Sequence, residues 1–201
     1  MSYTYLALGD SYTIGEAVPK AESFPYQTVE LLRRNQLEMA DPVIIATTGW
    51  TTGNLLDALS ASELSGSYQI VTLLIGVNNQ YQGRSIAEYE TQFTTLIERA
   101  IALGGNQPSH VLVLSIPDYS ATPFGRSTAN PGKIAAQLDT FNAINRRIST
   151  NYKVHWLDIT GESRKAATDP SLVAADGLHY SEKELAIWAK LMEPIILQMH
   201  Y

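Results

Sequence analysis

The chain has 201 residues, of which 45% are hydrophobic and 17% charged, and it contains no cysteine. Its formal net charge of -6 and its isoelectric point near 5.2 argue against a nucleic-acid-binding surface and against electrostatic docking on anionic membranes. The lack of cysteine excludes disulfides, thiol nucleophiles and cysteine-ligated metals. Length and composition together predict a single domain over residues 1–201 with a sizeable core.

The N-terminal residues predict the location of the protein. They contain no basic segment followed by a long apolar core, which is the pattern of a signal peptide. No segment approaches the ~20 apolar residues that a membrane span requires. We therefore expect a cytoplasmic protein without a membrane span, although a secreted protein whose signal peptide had been trimmed would look the same.

Five short apolar segments rich in β-branched residues are predicted to be strands. They comprise residues 3–8, 42–46, 70–75, 110–116 and 154–157. The third and fourth are almost continuously apolar, which is typical of strands buried on both faces of a parallel sheet.

Helical periodicity predicts helices between and after these strands. They comprise residues 24–37, 53–64, 85–103, 133–150 and 181–199. Ser85 with Glu88, and Ser181 with Glu184, have the spacing of capping boxes at the start of two helices. Strands that alternate with helices predict an α/β fold, a three-layer sandwich around a central five-stranded parallel sheet. The longest irregular segments, 117–132 and 159–177, are candidates for functional loops.

Polar motifs follow the predicted strands, where ligands bind in such folds. Ser11 comes directly after the first strand in Gly-Asp-Ser, and Asp176 and His179 follow the fifth strand and its loop. A serine hydroxyl needs a base beside it and a group that orients that base. Gly49 and Asn78 follow the second and third strands and can donate N–H groups to a developing oxyanion.

Each motif taken alone also has a purely structural interpretation. Gly-Asp-Ser is ordinary turn chemistry, and Asp-x-x-His is common at the start of a helix. Gly49 by itself is compatible with a simple strand-to-helix turn. The run from Gly9 to Gly15 lacks the lysine of a phosphate loop and the spacing of a dinucleotide fingerprint. No histidine–carboxylate pattern has metal-ligand spacing, so neither a cofactor nor a metal is expected.

As a set, these motifs resemble the SGNH (GDSL-type) hydrolases. The resemblance extends from residue 9 to residue 180, and it implies a flavodoxin-like sandwich. It also implies a role for each residue. Ser11 would be the nucleophile, His179 the base and Asp176 the residue that orients it, while Ser11, Gly49 and Asn78 would form the oxyanion hole. Tyr12 departs from the family pattern, which usually has leucine there, and so does Asn79, where an acid is common.

Side chains beside these motifs are candidates for the substrate pocket. They are Asp10, Tyr12, Trp50, Tyr81, Tyr119, Phe124 and Tyr180.

The resulting hypothesis is a serine esterase that acts on a small-molecule ester without a nucleic-acid partner, with a monomer favoured. Little of the chain is left over for a lid or an acyl tunnel, which favours short acyl groups. Acetylated sugars, lysophospholipids and thioesters all remain open as substrates. The alternative is a non-catalytic α/β module that binds a ligand with the same fold.

Overall fold

The computed structural model describes residues 2–64 and 66–199, and its strands agree with those predicted. They are Tyr5–Gly9 (β1), Val43–Ala46 (β2), Ile70–Leu74 (β3), Val111–Leu114 (β4) and His155–Leu157 (β5). Each predicted strand is present, with ends displaced by about two residues or fewer, which is the usual uncertainty of element boundaries.

Nine α-helices are assigned within the described residues. They are Ser11–Ile14 (α1), Phe24–Arg34 (α2), Thr52–Ala61 (α3), Val77–Tyr81 (α4), Ile86–Leu103 (α5), Pro123–Arg126 (α6), Pro131–Tyr152 (α7), Thr160–Ser163 (α8) and Glu182–Leu197 (α9). The five predicted helices are α2, α3, α5, α7 and α9. The four unpredicted helices are only four or five residues long, too short for a periodic signal. In residues 2–64 and 66–199, no helix has both the length and the apolar character to cross a bilayer.

All five strands are parallel, in the order β2-β1-β3-β4-β5. The central strands β1, β3 and β4 are buried along their whole length, whereas the edge strands β2 and β5 are partly exposed. Right-handed crossovers place α2 on one face of this sheet and α3, α5 and α7 on the other. The packing agrees, because α2 contacts α9, while α5 contacts both α3 and α7. The sheet therefore lies between two helical layers, as predicted.

The two predicted capping boxes have different outcomes. At α5 only the serine half of the box is present, because the Ser85 hydroxyl accepts the Glu88 main-chain N–H at 3.1 Å, whereas the Glu88 carboxylate accepts from Gln92 Nε2. The prediction for α9 is wrong, because the Ser181 hydroxyl makes no cap bond to the helix and instead donates to the Ser171 carbonyl oxygen at 2.7 Å. Glu184 also faces away from the helix start, and its carboxylate accepts from Trp188 Nε1 at 2.8 Å. A residue outside the helix thus binds the Ser181 side chain, and a residue one turn further along α9 binds the Glu184 side chain.

Candidate active site

A cavity of about 180 Å³ lies at the carboxyl edge of the sheet, where four of the five residues predicted for the triad and the oxyanion hole meet. Ser11 reaches it from the end of β1, Gly49 from the loop after β2, and Asn78 from the start of α4. His179 reaches it from the loop that precedes α9. The structure therefore brings together side chains and main-chain groups that are separated by up to 168 positions in the chain.

The turn after β1 presents the Ser11 hydroxyl to this cavity. A β-carbon at Gly9 would lie 2.1 Å from Thr13 Oγ1 and 2.5 Å from the Leu74 carbonyl oxygen, so a side chain cannot be placed where the chain turns. Ser11 begins α1 and is 5% exposed. Its hydroxyl has no hydrogen-bond partner among the described residues, and the small opening to the cavity leaves it accessible to a substrate.

Asp10 lies beneath this turn and does not line the cavity. It is fully buried, and its Oδ1 accepts the Tyr12 main-chain N–H at 3.0 Å, while Oδ2 has no partner among the described residues. Burial raises the pKa of Asp10 to about 7, against a smaller lowering by the Tyr12 N–H. Asp10 thus caps α1 and does not reach the cavity in this structure.

Besides Ser11, the candidate oxyanion donors come from the loop after β2 and from the first turn of α4. Gly49 has φ +84°, a left-handed conformation that favours glycine, and no atom outside its chain neighbours lies within 4 Å of the position of its missing β-carbon. Asn78 Nδ2 donates to the Trp50 carbonyl oxygen at 3.0 Å. An amide nitrogen carries two hydrogens, so this bond fixes the Asn78 side chain and leaves one hydrogen to donate.

Gly76 sets the path of the chain into α4. Its φ is +131°, and a β-carbon there would lie 2.7 Å from both Ile116 Cδ1 and Tyr89 Cε2. The close packing of these two side chains therefore requires glycine, and it places Asn78 two residues later at the edge of the cavity.

A tight loop joins His179 to Asp176. Asp176 Oδ2 and His179 Nδ1 are 2.6 Å apart, and Asp176 Oδ1 accepts the main-chain N–H groups of Leu178 and His179, both at 2.9 Å. Burial raises the pKa of Asp176, but the hydrogen bonds from the His179 ring and from these two N–H groups outweigh it, so the pKa lies below the ordinary aspartate value. The carboxylate is therefore ionised at neutral pH.

The His179 ring packs edge-on against Tyr12, with 6.0 Å between the ring centroids. Among the described residues, no hydrogen bond joins the His179 ring to the Ser11 hydroxyl. Catalytic hydrogen bonds are often long without a ligand and tighten when substrate binds. Ser11 and His179 thus line one cavity, and Asp176 contacts the His179 ring at Nδ1.

Aromatic side chains form much of the cavity wall. Tyr119 is 4% exposed, and its hydroxyl donates to Gln80 Oε1 at 2.9 Å. Tyr81 meets the Tyr119 ring edge-on at 6.2 Å and is 62% exposed, while Phe124 is 38% exposed. The Phe124 main-chain N–H donates to the Gly177 carbonyl oxygen at 2.9 Å. This bond ties the aromatic wall to the loop that holds His179.

Three pocket candidates lie away from the cavity. Asp10 is buried beneath Ser11, as described above. Tyr180 is 1% exposed, and its ring packs against Trp188 with 5.3 Å between centroids. Trp50 lies partly buried against the core and contributes its carbonyl oxygen to Asn78 rather than its ring to the cavity. The other four candidates, Tyr12, Tyr81, Tyr119 and Phe124, line it.

The sequence reasoning missed three other residues that line the cavity. They are Thr48, Val77 and Leu178. Each immediately precedes a motif residue in the chain, namely Gly49, Asn78 or His179. This adjacency is the signal that could have identified them.

Solved structures of other proteins share this fold over almost the whole chain. TesA has a TM-score of 0.76 at 16% identity, covering 98% of this chain and 99% of its own. A variant of Axe2, an acetyl xylan esterase from Geobacillus stearothermophilus, has a TM-score of 0.76 at 16% identity, covering 100% and 98%. A lipase/acylhydrolase from Enterococcus faecalis has a TM-score of 0.75 at 18% identity, covering 98% and 97%. These TM-scores show that the folds are alike, and at identities this low the comparison shows the fold alone.

The sequence itself assigns the family. No curated protein matches the chain, but the model of the GDSL-like lipase/acylhydrolase family matches residues 7–183. This match includes the segments of Ser11, Gly49, Asn78, Asp176 and His179. The chain therefore belongs to the GDSL-like lipase/acylhydrolase family and is a carboxylic ester hydrolase.

Proposed function

We propose that the chain hydrolyses esters of short acyl groups, with Ser11 as nucleophile, His179 as general base and Asp176 as the residue that orients it. One observation carries the proposal. Ser11, Gly49, Asn78 and His179 line one cavity of about 180 Å³, while Asp176 holds the His179 ring at 2.6 Å. Acyl transfer requires a nucleophile, a base and donors to an oxyanion, and groups with the chemistry for each of these roles line this cavity.

In the proposed first step, Ser11 Oγ attacks the ester carbonyl carbon while His179 Nε2 accepts the hydroxyl proton. The carbonyl oxygen becomes an oxyanion, and the main-chain N–H groups of Ser11 and Gly49 and the Asn78 amide donate to it. The carbon–oxygen bond to the alcohol then breaks, and the imidazolium returns its proton to the departing oxygen. An acyl group remains on Ser11.

Water completes the cycle by the same chemistry. His179 Nε2 takes a proton from a water molecule as its oxygen attacks the acyl carbon, and the same donors stabilise the second oxyanion. The bond to Ser11 Oγ breaks, the imidazolium protonates Ser11, and the acid leaves. Asp176 stays ionised throughout, which its lowered pKa favours.

The size and lining of the cavity support a short acyl group. Sites for drug-sized ligands span about 300–1,000 Å³, so a cavity of about 180 Å³ suits an acetyl or similarly small group. The aromatic rings of Tyr119 and Phe124 provide an apolar wall, and the wide exposure of Tyr81 leaves room for a larger alcohol at the mouth.

Covalent labelling tests the nucleophile. A fluorophosphonate should add one label to the wild-type protein, and peptide mass spectrometry should locate it on Ser11. Ser11→Ala should abolish both labelling and turnover, whereas Ser127→Ala, a control at a serine outside the cavity, should keep both. Labelling at another residue, or an active Ser11→Ala variant, would show that the nucleophile lies elsewhere.

A substrate panel tests the acyl preference. For p-nitrophenyl esters from acetyl to decanoyl, kcat/KM should be highest for the shortest chains and fall as the chain lengthens. Acetylated sugars, a lysophospholipid and an acetyl thioester belong in the same panel, because the cavity restricts the acyl group more than the group that leaves. A maximum at decanoyl would contradict the proposed short-chain preference.

A further inference from the structure

The loop that carries Gly49 is held at several points although it is exposed. Thr48 and Gly49 are both exposed, and the turn itself has one main-chain bond, from the Trp50 N–H to the Thr47 carbonyl oxygen at 3.2 Å. Gln82 Nε2 donates to the Gly49 carbonyl oxygen at 3.3 Å. This bond and the bond from Asn78 Nδ2 to the Trp50 carbonyl oxygen hold the loop from the α4 side.

Glu16 holds the same loop from the opposite side. Its main-chain N–H donates to the Ser11 carbonyl oxygen at 3.0 Å, and its carboxylate accepts the Thr48 hydroxyl. One residue therefore contacts both the nucleophile and the neighbour of Gly49. Glu16 itself does not line the cavity, so an effect of this residue on catalysis must pass through the groups it holds.

The backbone around Glu16 is unusually constrained. It lies between Gly15, with φ +75°, and Ala17, with φ +66°. A left-handed conformation is unfavourable for alanine and persists only where the surrounding structure fixes it. The Val18 N–H closes this turn on the Gly15 carbonyl oxygen at 3.2 Å. The turn thus directs the Glu16 side chain towards Thr48.

We propose that Glu16 is a positioning residue for the oxyanion hole, because its carboxylate holds Thr48 and thereby sets the separation between the N–H groups of Ser11 and Gly49. The inference rests on the proposed function, in which those two groups bind the oxyanion. Preorganised donors stabilise an oxyanion only when they are held at the right separation before the reaction. The contribution comes from the hydrogen-bond acceptor and not from the negative charge, which opposes a developing oxyanion.

Four variants and one control test this positioning role with p-nitrophenyl acetate as substrate. Glu16→Ala and Thr48→Val should each lower kcat by about tenfold, a part of the 10²–10³-fold that losing a donor costs, with little change in KM. Glu16→Gln keeps an acceptor and should stay within about twofold of wild type. In the double variant Glu16→Ala/Thr48→Val, kcat should fall no further than in either single variant, as expected for two partners of one bond.

The control is Glu22→Ala, in the same segment. The Glu22 carboxylate is exposed and makes no hydrogen bond to another described residue. It should keep the wild-type kcat. Thermal unfolding should show all variants folded, because the lost bond is exposed and exposed bonds stabilise little. Loss of kcat in Glu22→Ala, or equal loss in Glu16→Gln and Glu16→Ala, would show a charge effect and overturn the proposal.

Wild-type turnover and labelling of Ser11 distinguish a failure of the positioning role of Glu16 from a failure of the proposed function. An active wild-type enzyme whose Glu16→Ala variant has an unchanged kcat overturns the positioning role alone. A wild-type protein that neither turns over esters nor takes the label at Ser11 overturns the proposed function, and the positioning role with it.

Discussion

Asp176 holds His179 at both its ring and its main chain. Oδ2 lies 2.6 Å from the ring nitrogen Nδ1, and Oδ1 accepts the His179 N–H at 2.9 Å. Because an ionised carboxylate only accepts hydrogen bonds, the first contact places the ring proton on Nδ1. Nε2 then has a free lone pair, which is the form of imidazole that can take a proton from Ser11.

Replacing this acceptor should disable the base. In Asp176→Asn, an amide hydrogen can face Nδ1, which favours the tautomer with the proton on Nε2. We expect kcat to fall by about 10⁴-fold, the scale of the equivalent change in a serine protease, while KM changes little. Steady-state kinetics on p-nitrophenyl acetate measure both constants, and an unchanged kcat would show that Asp176 does not orient the base.

The pH dependence of kcat/KM should report the ionisation of the base. In the proposed mechanism only the neutral imidazole can accept the Ser11 proton. The rate should therefore rise from acid to neutral pH through one ionisation and then level off. Asp10→Asn should keep this rise, because the Asp10 carboxyl does not line the cavity. A flat profile in the wild-type enzyme would exclude His179 as the base.

Two neighbouring asparagines should have opposite roles. Asn78→Ala removes a proposed oxyanion donor and should lower kcat by about 10²–10³ with KM nearly unchanged. Asn79 is fully buried and joins α4 to α3 through both its amide atoms, at 3.0 Å to the Thr52 N–H and 2.7 Å to the Thr52 hydroxyl. Asn79→Ala should therefore lower the free energy of unfolding by about 1–3 kcal/mol.

Kinetics and urea unfolding of both variants distinguish these roles. A substrate-positioning role for Asn78 would instead appear as a higher KM with kcat unchanged. If Asn78→Ala lost stability as Asn79→Ala should, its effect on the rate would have a structural origin.

The sequence predicted the sheet because burial on both faces leaves a simple pattern. The strands β1, β3 and β4 are continuous apolar segments, and the groups at their carboxyl ends follow from the fold class. Gly9 and Gly76 could be placed in turns, although the reason for each glycine is a contact with distant atoms, such as Leu74 or Tyr89. Contacts between residues far apart in the chain cannot be identified from this sequence.

Side-chain direction could not be predicted in the same way. Tyr12 and Tyr180 both flank proposed catalytic residues in the chain, yet Tyr12 lines the cavity and Tyr180 packs into the core against Trp188. Adjacency to a motif does not specify which side of the loop a ring occupies. The contact between Glu16 and Thr48 was also beyond the sequence, because a lone glutamate after a turn has no distinctive pattern.

Asp10 carries a fully buried carboxyl beneath Ser11. Burial raises the pKa of Asp10 to about 7, whereas an aspartate in an unfolded chain titrates near about 4. Between these values the folded protein binds more protons than the unfolded chain, so the free energy of unfolding must fall as pH rises through this range. The contribution of Asp10 to stability is therefore greatest in acid and is lost as pH passes about 7.

Asp10→Asn should remove this fall, since an amide does not ionise. Relative to the variant, the wild-type protein should lose about 1–3 kcal/mol of unfolding free energy between about pH 5 and about pH 8, because each pKa unit corresponds to about 1.4 kcal/mol. Urea unfolding at both values measures the difference. Asp57→Asn, at an exposed aspartate, provides the matched control and should follow the wild-type curve. If Asp10→Asn also followed the wild-type curve, Asp10 would have to be ionised in the folded protein across the whole range, and burial beneath Ser11 would not govern its charge.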